Sequence, residues 1–290
     1  WRRLWRGRSA MLKTLKIFAL VALIAYTLLC AAVVLVPEYI FYGAYDYPAD
    51  INQARKNGFN AKEVTYFDYG KNGGKVTGWL YLNKTLHNNG KAIVFLHGNS
   101  YNLEHYYHKT VPLAKAGYSV LIPEYRGFGG QGKKIKQQYL EQDAVNAVKY
   151  LNGLGFSNDK IIIYGISLGS YTALYAAENQ QQNGNFNAVV LEVPFTSLSE
   201  TAESYVTFGA IKLVPLDLLM KDTYNNLALI GKIKTRILIM ATKDDEVIPP
   251  ALAEKLYKQA NEPKKMIIYE GAPHDGLFSL HNYRDILEWL

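Results

Sequence analysis

Cysteine is almost missing from this chain. Cys30 is the only one in 290 residues, and it lies in an apolar N-terminal stretch. A disulfide within any folded part is thereby excluded, as is a cysteine-based metal site. No acidic residue occurs before Glu38, and Ile17 to Val36 carries no charge of either sign. Internal repeats and low-complexity blocks are also lacking, and with 49% hydrophobic and 20% charged residues the composition excludes a disordered chain. Arg2, Arg3, Arg6, Arg8, Lys13 and Lys16 supply six of the seven net positive charges. The remainder is nearly neutral, so the basic balance is no nucleic-acid footprint, and no nucleic-acid partner is expected.

Those absences define the first forty residues. The uncharged run Ile17–Val36 spans roughly 30 Å as a helix, the thickness of a bilayer's hydrocarbon, and is closed by Pro37. Residues 1–16 read as a basic cytoplasmic N-terminus, 17–36 as a transmembrane anchor and 37–62 as a juxtamembrane linker. With positive charge before the span and Glu38, Asp46 and Asp50 after it, the expected topology is a single pass with the domain extracytoplasmic, in a periplasm or lumen. A cleaved signal peptide, with Cys30-Ala31-Ala32 as its small-residue site, is the rival, but the apolar run continues past that point. A lipoprotein reading of Cys30 meets a bulky Leu29. The chain opens on Trp1 and its first methionine is Met11; initiation there leaves Lys13 and Lys16 to orient the helix. The Tyr- and Phe-rich stretch Pro37–Gln53 suits a lipid interface or the domain surface.

From about Glu63 the pattern changes. Glu63–Phe67 and Val76–Tyr81 read as a hairpin across Lys71-Asn72-Gly73-Gly74. Strand-like runs follow at Ala92–Leu96, Ser119–Ile122, Ile161–Tyr164, Ala188–Glu192, Ile237–Ala241 and Met266–Tyr269. Helical stretches near 103–116, 136–153, 168–179, 250–260 and 276–289 separate them. The alternation implies an α/β domain over 63–290 with a mostly parallel central sheet and helices on both faces. The long gap after Glu192 reads as a short helical cap at about 195–233, with Leu198–Phe208 and Leu216–Met220 as its helices.

Residues 160–169 carry the most information. A buried strand runs into Gly165-x-Ser167-x-Gly169, which places a serine on a sharp strand-to-helix turn where small glycines let neighbouring backbone pass closely. The rival reading is a turn serine without chemistry. A serine hydroxyl is a poor nucleophile until a base takes its proton, so a later acid and histidine are expected, in that order. The loop after Ile237–Met240 holds Asp244-Asp245-Glu246-Val247-Ile248-Pro249, and 29 residues past Asp245 comes His274 in Gly271-Ala272-Pro273-His274. Asp245, beside the Val-Ile-Pro that closes the loop, is the preferred acid, with Asp244 as its alternative. His274, in a Gly-Pro loop, is the preferred base; His281 falls within the last helix and reads as a surface or packing residue. Asp275 reads as the N-cap of that helix. His97-Gly98-Asn99 ends the first parallel strand, where the backbone N–H groups of Asn99 and Leu168 are the expected oxyanion donors and His97 a loop-stabilising residue. His105 and His108, at H-x-x-H spacing, read as a wet helix face and not as a metal site.

Together His97-Gly98-Asn99, Tyr125-Arg126-Gly127-Phe128-Gly129, Gly165-Ile166-Ser167-Leu168-Gly169-Ser170, Pro194-Phe195-Thr196-Ser197, Asp245-Glu246-Val247-Ile248-Pro249 and Gly271-x-x-His274 resemble the α/β-hydrolase superfamily. More narrowly they are similar to membrane-anchored serine hydrolases related to the Bem46-like proteins and the protein depalmitoylases. Gln131 departs from that pattern, which commonly has serine there. The resemblance implies a Ser167–His274–Asp245 triad, an acyl-enzyme intermediate and no metal or organic cofactor. The expected function is hydrolysis of carboxylic esters or thioesters of a small-molecule or lipid-linked acyl substrate beside the membrane. Acyl transfer by the same triad and a non-catalytic binding module on the same fold are the alternatives.

Overall fold

In a computed structural model of the chain, residues 2–35, 42–44, 47–70, 74–131, 134–205, 214, 219, 223–278 and 280–290 are described. Val36, the turn Lys71-Asn72-Gly73 and, apart from Leu219, the predicted helix Leu216–Met220 lie outside those residues. Arg2–Leu35 forms α1, within which Lys13–Ala31 is 19 residues long, apolar and nowhere buried. By length and composition it can cross a membrane.

The sheet is built from β2 (Lys62–Asp68), β3 (Lys75–Tyr81), β4 (Ala92–Leu96), β6 (Ser119–Pro123), β7 (Ile161–Ile166), β8 (Ala188–Glu192), β9 (Ile237–Thr242) and β10 (Lys264–Tyr269). Their spatial order is β2-β3-β6-β4-β7-β8-β9-β10, with β3 antiparallel to both neighbours and all later pairs parallel. Two-residue strands β1 (Gly43–Ala44) and β5 (Ser100–Tyr101) pair separately, in parallel. Every residue of β4, β6, β7, β8 and β9 is buried, as strands covered on both faces must be.

Period-two alternation divides these strands between two cores. Ala92, Val94, Leu96, Ile161 and Ile163 face one, with α4 (Gln137–Gly153), α5 (Leu168–Gln180) and α8 (Pro250–Gln259). Ile93, Phe95, Ile162, Tyr164 and Ile166 face the other, with α2 (Ile51–Lys56), α3 (Leu103–Lys115) and α9 (Leu280–Trp289). Small side chains at Ala173, Ala176 and Ala177 let α5 lie close on the sheet. The segment read as a linker rests on the domain: Ala54, Phe59 and Ala61 are buried in the second core. Of the cap, Leu198–Tyr205 forms α6 and Leu227–Ile230 forms α7.

The loop after β6 is pinned from below. Asp143 of α4 accepts from the Arg126 backbone N–H at 2.8 Å and from Arg126 Nε at 2.9 Å. Burial pushes this carboxyl up to about 6 against the lowering hydrogen bonds and charge of Arg126. Gln131, the departure from the family pattern, donates from Nε2 to Thr77 Oγ1 on the adjoining strand β3.

Candidate active site

Parallel strands end on a common edge, and the candidate site residues all follow such ends: His97 after β4, Ser167 after β7, Asp245 after β9 and His274 after β10. Strain is concentrated on the same edge. Among the described residues four non-glycines take left-handed φ; Ser167 (51°) and Val193 (44°) directly follow β7 and β8, and Tyr101 (66°) lies in the loop beyond β4, as the second residue of β5.

Ser167 is held at the tip by backbone contact. A Cβ on Gly165 would lie 2.1 Å from the Gly169 carbonyl oxygen, and one on Gly169 only 2.0 Å from that of Leu96. Both glycines therefore let α5 start directly against β4 and β7. The Ser167 N–H donates to the Glu192 carbonyl at 2.9 Å, and its own carbonyl accepts from Ser170 N at 2.9 Å and Ser170 Oγ at 2.6 Å. Leu168 is the first residue of α5, a position whose N–H has no intrahelical partner. Gly169→Ala is expected to destabilise the protein by several kcal/mol, since the opposing atom is fixed backbone; thermal unfolding beside the far milder Gly153→Ala, where a Cβ meets nothing within 4 Å, measures it.

The His97 loop lies against the elbow: a Cβ on Gly98 would stand 3.7 Å from Ser167 Cβ and 2.8 Å from the Tyr106 hydroxyl. His97 itself is fully buried, stacked at 5.2 Å on Tyr106 and edge-on at 5.1 Å to Phe128. Its Nδ1 donates to the Gly98 carbonyl at 2.9 Å, and Nε2 lies 3.1 Å from Glu124 Oε1. Because Gly98 C=O and Asn99 N–H belong to one planar peptide unit, this bond fixes the direction of the Asn99 N–H. Burial raises the Tyr106 hydroxyl pKa, so it stays a neutral phenol beside this loop.

His274 sits in a 3₁₀ turn, His274–Gly276, and is 7% exposed. Its Nδ1 is 2.8 Å from Asp245 Oδ2 and 3.0 Å from Oδ1, which leaves Nε2 as the free basic nitrogen. Asp245 Oδ1 also accepts from the Val247 and Ile248 N–H groups, at 2.8 and 2.6 Å, and these fix the carboxylate. Asp244 points elsewhere, accepting from Gly271 N at 2.5 Å and tying the acid loop to the histidine loop. Glu246, which sequence alone did not single out, accepts from the His274 backbone N–H at 3.1 Å. The third acid of the Asp-Asp-Glu run was its only signal. Ser167 Oγ makes no hydrogen bond to His274 among the described residues.

The final helix starts at Leu280, so Asp275 does not cap it; it lies in the 3₁₀ turn, where its charge acts on His105, His108 and Tyr106 of α3. His281 lies in the first turn of α9. His105 stacks on Tyr101 at 4.0 Å, and burial lowers its pKa and that of His108.

A mostly parallel eight-stranded sheet with helices on both faces and a serine elbow at its edge defines the α/β-hydrolase class. Within it, the chain belongs to the prolyl oligopeptidase family, which matches residues 104–290. It is 30% identical over 206 residues to the Mycobacterium tuberculosis protein Rv2307c, covering 71% of this chain and 70% of that one. Among solved structures, an alpha-beta hydrolase from Vibrio vulnificus superposes with a TM-score of 0.69 at 23% identity, over 87% of this chain and 92% of its own. The Pyrococcus furiosus esterase PF2001 does so with a TM-score of 0.63 at 20% identity, over 86% and 98%. At these identities the two structures speak for the fold. Family and fold together make the protein a hydrolase.

Proposed function

We propose that the protein is a membrane-held serine hydrolase that cleaves carboxylic esters or thioesters of lipid or lipid-modified molecules. The observation that supports it most directly is the pairing of His274 Nδ1 with both oxygens of Asp245, at 2.8 and 3.0 Å, on the sheet edge that carries Ser167. Ser167 Oγ attacks the acyl carbonyl while His274 Nε2 takes its proton, and the carbonyl electron pair moves onto oxygen, facing the N–H groups of Asn99 and Leu168. Collapse expels the alkoxide or thiolate, which takes the proton from Nε2 and leaves an acyl-Ser167. Water then repeats the sequence, freeing acid and serine. Asp245 holds the imidazole tautomer and stabilises the imidazolium. The lipid class rests on α1, since a tethered site works at high effective concentration on substrates of the same membrane.

Reaction with a fluorophosphonate probe tests the reading. Wild-type protein is expected to be labelled at Ser167 alone, as mapped by mass spectrometry, and Ser167→Ala to take no label and lose at least ~10³-fold in ester turnover. A folded wild type that takes no label would overturn it. The family's description favours one second reading, a peptidase; paired ester and amide substrates with a common acyl group separate the two. Product analysis with added alcohols separates hydrolysis from acyl transfer.

A further inference from the structure

The segment that leaves the membrane helix is built into the oxyanion loop. Gly43–Ala44 pairs in parallel with Ser100–Tyr101, and the Gly43 N–H donates to the Asn99 carbonyl at 3.0 Å. The fit is close: a Cβ on Gly43 would lie 2.8 Å from Ser100 Oγ and 3.2 Å from Ser100 Cβ. Tyr42 is hydrogen-bonded through its hydroxyl to that of Tyr224, and its ring stands edge-on to Phe128 at 6.3 Å. Phe128 in turn packs on His97. Further along, the Tyr47 carbonyl accepts from Asn102 Nδ2 at 3.2 Å, and Pro48 Cδ stands 2.9 Å from where a Cβ of Gly130 would be.

The loop needs such support. Tyr101 holds φ at 66°, which a side chain disfavours and which persists only where surrounding contacts impose it. A two-residue strand is too weak to stand by itself, but here it closes over a loop already fixed on its other side by His97 and Tyr106. Leu35 ends α1 seven residues before Tyr42, so Tyr42 lies within about 25 Å of the helix end even at full extension. We infer that Tyr42 and Gly43 are positioning residues for the oxyanion loop, so that the membrane tether is a structural part of the active site; this rests on the serine-hydrolase reading above.

The test uses the full chain in lipid nanodiscs with two readouts. Gly43→Pro deletes the N–H that holds the Asn99 carbonyl, and Tyr42→Phe deletes the hydroxyl that bonds Tyr224. Gly153→Ala, at the C-terminal end of α4 where a Cβ meets nothing within 4 Å, is the control. In Gly43→Pro, hydrogen exchange at Asn99–Tyr101 is expected to rise at least tenfold. The kcat for a short acyl nitrophenyl ester should fall ~10–100-fold with KM within twofold, in the range of a weakened oxyanion contact. Affinity for a trifluoromethyl ketone, which forms the tetrahedral adduct, should fall with kcat. Tyr42→Phe should move in the same direction by a smaller factor, and Gly153→Ala should keep wild-type kcat. Unchanged exchange in both Gly43→Pro and Tyr42→Phe would overturn the inference, as would raised exchange with unaltered kcat, or a loss of kcat matched by global unfolding. Should the wild type neither label nor turn over, the hydrolase reading fails, and a positioning role in that reaction falls with it; the exchange arm then decides only the structural coupling.

Discussion

Asp245→Asn is expected to lower kcat by about 10⁴ while leaving KM and thermal stability near those of the wild type. The reason lies in which groups already surround the carboxylate. Oδ1 accepts from the Val247 and Ile248 N–H groups at 2.8 and 2.6 Å, and an asparagine oxygen takes over both bonds without moving the loop. The other oxygen, 2.8 Å from His274 Nδ1, then becomes an NH₂ group, which can only donate. Oδ1, 3.0 Å from Nδ1, already accepts two N–H bonds, so Nδ1 turns into the acceptor of the nearer NH₂, the ring proton moves to Nε2, and the nitrogen expected to take the Ser167 proton already carries one. Asp245→Ala instead leaves the tautomer free and costs the loop its two bonds, so it should lose less activity per unit of lost imidazole order but also lower the unfolding midpoint. Asp244→Asn provides the control, because Asp244 reaches Gly271 N and not the imidazole. An Asp245→Asn protein with wild-type kcat would remove Asp245 from the chemistry, and so would an imidazole proton found by NMR on Nδ1 of His274 in that variant as in the wild type.

What could be read beforehand follows from how local each signal is. The elbow is a five-residue pattern whose glycines answer to contacts at 2.0 and 2.1 Å, so it was fully visible in the chain. Strands buried on both faces show as apolar runs, and Ile161–Tyr164, within the observed Ile161–Ile166, was one. Asp245 and His274 could be ordered by their positions after strands, although neither carries its partner's identity. Glu124 was not legible, because a lone glutamate gives no sign of the histidine it will face across the fold, and Glu246, although third in an acidic run, gave no sign of the backbone N–H it accepts from. Strand β1 was not legible either: two residues have no periodicity, and the register with Ser100–Tyr101 is a contact across more than fifty positions. Asp275 misled because Asp ahead of a helical stretch usually caps it, whereas the chain here first makes a 3₁₀ turn and starts its helix at Leu280.

Lys109→Met should cost about 3–5 kcal/mol of stability, the second of the large effects. At the end of β8, Glu192 is fully buried, and so is Lys109 on α3; they meet at 2.8 Å between Nζ and Oε1. The other carboxylate oxygen accepts from the Tyr164 hydroxyl at 2.7 Å, and burial, followed by the Glu192 charge, raises that phenol's pKa well above its ordinary value. Methionine fills much the same space as the lysine stem but leaves a carboxylate in the core with a tyrosine as its remaining side-chain donor. For a domain of this size the unfolding midpoint should drop by ~10 °C. Adding Glu192→Gln removes the stranded charge while keeping an acceptor for Tyr164, and the double variant should regain most of the loss. The pair also bears on chemistry, since the Glu192 backbone carbonyl accepts the Ser167 N–H at 2.9 Å and its register with Ile166 sets the floor of the elbow. A carboxylate without its lysine is expected to draw in water and pull the end of β8 outward. Ester turnover in Lys109→Met should therefore fall even below the melting transition and return in the double variant. A single variant within about 1 kcal/mol of wild type, or a double variant no better than the single, would mean that the two charges are not energetically coupled.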